Sequence, residues 1–447
     1  MSEKPYNSIN KKQKKHKKTK KLQLAGEGAH GCVFRPSLNC YPDTFIPAKH
    51  RQKNQTKNQT KNIQNVKNVE NANKAYVSKI FANEKGALKE RKHFEKYVHK
   101  INADAIFTTH MIGSCQANTR PLNNNSYNTF KKCDHSKPQR TPTLEKKNRQ
   151  TQLIIEDGGM DLYEQAKYIP FIEMVKHMRP LFIGLVQMEK KKIAHADVKI
   201  ENITYNSYTK RMFYIDFGLM TSFDYMFDVR REHYLNHVYY TNPPEHLMAS
   251  YIYSNIRLKT DNPFSLTRRQ SLELYRHPEN FKMAYRTTEY AIDYFGDPND
   301  IPPILSEIIY VFRDSIRKQA PRMLLEWENI WKQEYEKKEF NMVGSIERKN
   351  AKNDTVRRIL RKYANKMDVY GLGSSIFALL ELSLYYSLHP AKKDKNPEDK
   401  VMWFENRAFY NKLGKLIIDM MKPNPSDRLT PSQALKRYDQ IMTSSNI

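Results

Sequence analysis

The sequence predicts an α+β chain in two lobes, an antiparallel sheet first and a helical body after it. Short β-prone runs at 22–33, 75–81 and 152–156 are set apart by polar stretches, and from Ile169 onward apolar residues recur at helical spacing. A length of 447 residues suits two to three domains or one two-lobed body interrupted by insertions. The expected limits are a basic tail at 1–21, a first lobe at 22–156 and a second at 157–442, so that the folded part spans 22–442. Insertions are expected near 39–74, 114–150 and 250–362.

The elements follow in order. Leu22, Gln23 and Leu24 begin a strand that meets Ala25-Gly26-Glu27-Gly28-Ala29-His30-Gly31-Cys32-Val33, and with only 14 glycines in the chain their clustering here is informative. Val33-Phe34 continues as strand, so the segment reads as strand, turn, strand. A lysine- and asparagine-rich stretch containing Thr56-Lys57-Asn58-Gln59-Thr60-Lys61-Asn62 separates it from a strand carrying Lys79 among apolar neighbours. A helix after Asn83, ending near Lys100, bears Glu90 and Glu95. Residues 116–150 read as polar loop, and 152–156 as an apolar strand. Phe171, Met174, Val175, Met178, Phe182 and Leu185 mark helix with a break at Pro180, and amphipathic stretches recur near 304–317 and 323–338.

Net charge is +28, so the chain attracts anions. Much of the excess sits in Lys11-Lys12-Gln13-Lys14-Lys15-His16-Lys17-Lys18-Thr19-Lys20-Lys21, which reads as a disordered arm able to contact polyanions or nucleic acid, or simply to stay solvated. No run of about 18 apolar residues or secretory leader is legible, which argues against a membrane span and for an intracellular, reducing setting. Cys40, Cys115, Cys133 and His135 lack the tight spacing of a zinc site, so ordinary reduced thiols are expected.

The chemistry is concentrated in His195-Ala196-Asp197-Val198-Lys199-Ile200-Glu201-Asn202, followed fourteen residues after Asn202 by Asp216-Phe217-Gly218. A base and a positive charge two residues apart, with metal ligands five residues on and in a separate turn, form the set that phosphoryl transfer needs. Asp197 is the expected base, Lys199 the charge on the transferred group, and Asn202 and Asp216 the magnesium ligands. The glycine-rich turn is expected to close over nucleotide phosphates. Lys79 is expected to meet those phosphates, paired with Glu90 in preference to Glu95.

Together these motifs resemble the eukaryotic-type serine/threonine protein kinases. Asn242-Pro243-Pro244-Glu245 resembles the end of their activation segment, Asp368-Val369-Tyr370-Gly371-Leu372-Gly373 the opening of the helix beneath the catalytic loop, and Asp427-Arg428 their late arginine motif. The resemblance implies a two-lobed kinase fold, ATP and Mg2+ as cofactors, protein substrates, a buried Glu245–Arg428 pair, Ile155 as gatekeeper, and adenine at Glu156-Asp157-Gly158. Gly-Cys-Val-Phe-Arg-Pro and the lysine- and asparagine-rich insertions are similar to kinases of large cytoplasmic DNA viruses, which implies a host cytoplasm or virion location, or the nucleus. A small-molecule kinase shares part of the catalytic loop. An inactive scaffold of this fold usually lacks Lys79, Asp197 or Asp216, all present here.

Three departures stand out. Ala196 replaces the usual arginine, so activity is not expected to depend on phosphate at Thr221, Ser222, Tyr225, Tyr234 or Thr241, with Arg230 and Arg231 as the alternative partners of such a phosphate. Pro243 stands in place of alanine. The insertion near 250–362 follows the segment where peptide substrates dock, and its role is opaque in sequence.

Overall fold

The computed structural model describes residues 22–28, 31–41, 43–48, 76–81, 84–101, 106–120, 122–133, 150–228, 241–257, 264, 278–311, 316–336, 345–389 and 401–445. The basic tail, Ala29, His30, the stretch 56–62, His135, Arg230, Arg231 and Tyr234 lie outside them. The described residues fall into two compact units divided at Ile46/Pro47, Ala87/Leu88, Ile112/Gly113 and Ile154/Ile155.

The first unit is built on a sheet of seven strands: β1 (Gln23–Gly28), β2 (Gly31–Arg35), β3 (Asn39–Cys40), β4 (Ile46–Pro47), β5 (Tyr76–Phe81), β6 (Met111–Asn118) and β7 (Thr151–Glu156). They run in the order β1-β2-β5-β7-β6-β3, with β4 also on β6. The pairs β1–β2, β2–β5 and β3–β6 are antiparallel, as expected. One face is sealed by Leu22, Cys32, Phe34, Leu38, Ile80, Ala117 and Phe130.

Two expectations are corrected here. The insertion near 114–150 is not loop from its start: β6 continues to Asn118, and a helix, Asn124–Lys131, follows with the Asn123 side chain accepting from Ser126 N at 2.9 Å. That helix has only Tyr127 and Phe130 as large apolar residues, so no periodicity announces it. The cysteines are not free thiols. Pairing of β3 with β6 sets Cys40 against Cys115, and the chain after the 124–131 helix brings Cys133 to Cys32, giving two disulfides with Cα separations of 5.7 and 6.1 Å. Such partners, 75 and 101 residues apart, are found by sheet topology and not by spacing. Both zinc ligation by these sulfurs and the expectation of ordinary reduced thiols lapse with them.

The second unit is mainly helical. Helices Phe171–Lys176 and Arg179–Lys190 replace the single interrupted helix expected, with Pro180 in the first turn of the second, where it forfeits no intrahelical bond. Two small sheets, β8 (Met160–Asp161) with β10 (Ile203–Asn206) and β11 (Arg211–Tyr214), and β9 (Ile193–Ala194) with β12 (Thr221–Ser222), hold the loops between helices. At the centre runs Ala364–Leu388, apolar on every side. By length and composition it could cross a membrane, against the expectation that no such run exists, but 94% of its most apolar window is buried inside the protein. It packs on helices Pro278–Phe295 and Arg407–Met420 as a core helix.

That central helix carries Glu381, buried beside Arg286 at 3.1 Å. Burial, only partly offset by Arg286, pushes its carboxyl up from 4.5 to about 7. Because the folded value lies above the unfolded one, the unfolded chain ionises first, and stability falls as pH rises from about 4.5 to about 7. Glu381→Gln is expected to remove this slope. The check is the melting temperature of both proteins across pH 5–8: their difference should widen in favour of the variant towards neutrality, and a constant difference would reject the effect.

Candidate active site

In the second unit, β9 and the short 3-10 turn Ile200–Asn202 bracket the segment holding Asp197. Ala196 at its entry has φ of 63°, a conformation that costs an alanine about 1–2 kcal/mol. Asp368, from the buried central helix, holds it there: Oδ2 accepts from His195 N at 2.6 Å and Oδ1 from Ala196 N at 2.9 Å. Burial raises the Asp368 pKa, and the two amide donors work against that rise.

Beyond the bend three expected residues converge. Asn202 Nδ2 donates to Asp197 Oδ2 at 2.8 Å and to the Asp197 carbonyl at 2.9 Å, while Lys199 Nζ lies 3.3 Å from the same Oδ2. One carboxylate oxygen thus takes both donors. The two bonds from Nδ2 turn Asn202 Oδ1 away from Asp197, as a metal ligand requires. The main chain then couples the next turn to this one, Ile215 N donating to Asn202 O at 2.9 Å.

Asp216 follows, in a left-handed conformation with φ of 57°, its Oδ1 accepting from Gly218 N at 3.3 Å. Asp tolerates this region because its short side chain can bond locally. Phe217 is buried, packed edge-on to Phe94 at 5.7 Å and against His195 at 5.3 Å. Phe217 therefore links the turn Phe94–Val98 to His195 through ring contacts within the second unit. The oxygens of Asn202 and Asp216 are hard donors suited to magnesium, which takes few protein ligands and completes its shell with phosphates and water. Among the described residues no group of three or more His, Cys, Asp or Glu is arranged to hold a metal ion.

Glu90 is half-buried on helix Glu84–His93. Glu95, the alternative, is engaged by Arg91 Nε at 3.0 Å, and Arg91 in turn donates to the Pro47 carbonyl. Ile155 and Glu156 end β7, Glu156 N donating to His110 O at 2.8 Å. Gly158 is buried, and the turn closes at Gly159, whose φ of 92° and position 2.1 Å from Tyr205 O, measured to a Cβ built there, admit only glycine.

In the first unit, the glycine-rich segment is a hairpin. Gly28 pairs with Gly31 and Glu27 with Cys32, and the register slips between Leu24 and Gly26, around Ala25. Gly31 lies so close to β5 that a Cβ there would sit 2.2 Å from Ile80 O. Across β2, Val33 faces Lys79, whose ammonium sits 5.5 Å from the Phe81 ring centroid. The turn residues Ala29 and His30 lie outside the described residues.

The pair implied for Glu245 and Arg428 is formed. Arg428 Nη1 and Nη2 meet Glu245 Oε1 and Oε2 at 2.5 and 3.0 Å, both side chains fully buried. The remaining donors of Arg428 reach the carbonyls of Lys422, Lys366 and Pro423. Among the residues around the site, sequence reading overlooked what Asp368 does, although a lone carboxylate opening an otherwise apolar run was a usable sign. It gave no hint of Tyr253, Arg357 and Arg361, which bind the segment after Asp216 from the insertion. No family model matches this chain, and no curated protein matches it.

Proposed function

We propose that the chain is a protein kinase that transfers the γ-phosphate of ATP to serine or threonine hydroxyls. The observation that carries this reading is the convergence of Asn202 and Lys199 on one oxygen of Asp197, in a loop fixed from behind by Asp368 and bonded to the turn of Asp216. In this reading Asp197 takes the proton of an attacking hydroxyl, and Lys199 offsets charge on the group in transit. Asn202 and Asp216 supply the oxygens for magnesium, whose contribution is to bind the phosphates and neutralise their charge. Lys79 and the glycine hairpin are assigned to the phosphates, and Ile155 to Gly158 to the adenine.

The test is incubation of purified protein with γ-labelled ATP, magnesium and a mixed protein extract, followed by phosphosite mapping, with Asp197→Asn protein in parallel. Phosphoserine or phosphothreonine formed only by the wild type is the expected result. Label on small molecules alone would point to a small-molecule kinase. No transfer at all would leave an inactive scaffold.

A further inference from the structure

The insertion packs on the segment that follows Asp216. Met226 and Phe227 are buried in one core with Met248, Ile252, Trp327 and Ile359, and Ala196 and Phe223 rest against the same cluster. Polar contacts pin the segment as well. Tyr253 OH donates to the Phe227 carbonyl, Arg357 Nη1 lies 3.5 Å from the buried Asp228, and Arg361 Nη2 lies 2.7 Å from Asp224. Upstream, Thr221 and Ser222 pair with Ala194 and Ile193, and Phe223 N donates to Lys192 O at 2.9 Å.

Resting on the kinase reading, we propose that Tyr253, Arg357 and Arg361 are positioning residues that hold residues 221–228 permanently in place, doing from within the chain what an added phosphate does where an arginine precedes the catalytic Asp. Three features support this. Ala196 offers no cation to a phosphate, and its methyl group lies on the insertion's own core. Thr221 and Thr241 are buried at 2% and 4% exposure, so their hydroxyls are closed to a modifying enzyme. The three arginines at the end of the inserted helix Ser345–Arg361 face acids: Arg357 meets Asp228 and Asp354, Arg361 meets Asp224, and Arg358 meets Glu334. The Arg361–Asp224 pair is exposed and contributes little by itself; the buried Asp228 and the apolar anchor give the hold its strength.

The experiment compares wild type, Arg357→Ala/Arg361→Ala and Arg357→Lys/Arg361→Lys. Read out are kcat on a mapped peptide, binding of a non-hydrolysable ATP analogue with magnesium, melting temperature, and hydrogen exchange of the 221–228 peptide. The double alanine variant is expected to lose about tenfold or more in kcat, about 1.4 kcal/mol, with analogue binding within about twofold and faster exchange at 221–228. The lysine variant should recover most of the rate. Exhaustive phosphatase treatment of the wild type should leave kcat unchanged. The proposal is overturned if the alanine variant keeps its rate, if rate, analogue binding and melting temperature collapse together without recovery in the lysine variant, or if phosphatase removes the activity. Should the wild type transfer no phosphate, the kinase reading fails separately, and unchanged hydrogen exchange at 221–228 would then reject the hold itself.

Discussion

Replacing Asp197 by asparagine is expected to lower the rate of phosphoryl transfer at least about a hundredfold while leaving ATP binding within about twofold. The substitution removes the base and keeps the shape. An amide oxygen at that position can still accept from Asn202 Nδ2 or Lys199 Nζ, which now share Asp197 Oδ2 at 2.8 and 3.3 Å, so the loop has no reason to unfold. The amide cannot take a proton from a substrate hydroxyl. Turnover on a mapped peptide, with titration of a non-hydrolysable ATP analogue, makes the comparison. Activity above about a tenth of wild type would remove Asp197 from the role of base, since general-base catalysis typically supplies two to four orders of magnitude.

Arg428→Met should have the largest effect on stability. The wild-type guanidinium makes two bonds to Glu245 and three to main-chain carbonyls, and lies 5.0 Å from the Tyr370 ring. Methionine fills the space but leaves the Glu245 carboxylate buried without its cation, which costs about 3–5 kcal/mol. For a unit of this size that corresponds to a fall of roughly 10 °C in melting temperature. Adding Glu245→Gln to the variant should return a good part of the loss, because the uncompensated charge disappears. Thermal unfolding of both variants decides the matter: a single substitution within about 1 kcal/mol of wild type, or a double no better than the single, would show that the pair is not what holds Glu245 in place.

What could be read in the sequence was what depends on short-range order. The hairpin of Gly28 and Gly31, the strand of Lys79, and the cluster of Asp197, Lys199 and Asn202 are each set within a few residues, where turn chemistry and strand alternation dominate. Asp216 was legible because an aspartate followed by Phe-Gly marks a turn of its own. The disulfides were not, since Cys32 and Cys133 meet only once a helix with little periodicity has formed on the sheet. The inserted helices were visible in part, as amphipathic stretches, but their target was hidden. The apolar faces of Met323 and Trp327 name no partner until the tertiary fold lays Phe227 against them. Long-range electrostatic matches, Arg357 with Asp228 above all, leave no local trace.

The central helix also constrains how the chain is made. Ala364–Leu388 is hidden from water only when helices on both sides of it in the sequence are in place, and two of them, Arg407–Met420 and Pro431–Ser444, follow it out of the ribosome. At about 5–20 residues per second, a lipid-like segment of 25 residues therefore waits several seconds for its covering. During that interval it has the character of a membrane span with no membrane. Holdase chaperones that recognise apolar helices should find it there, and a truncation that removes Arg407–Met420 and Pro431–Ser444 would extend that interval for the lifetime of the protein.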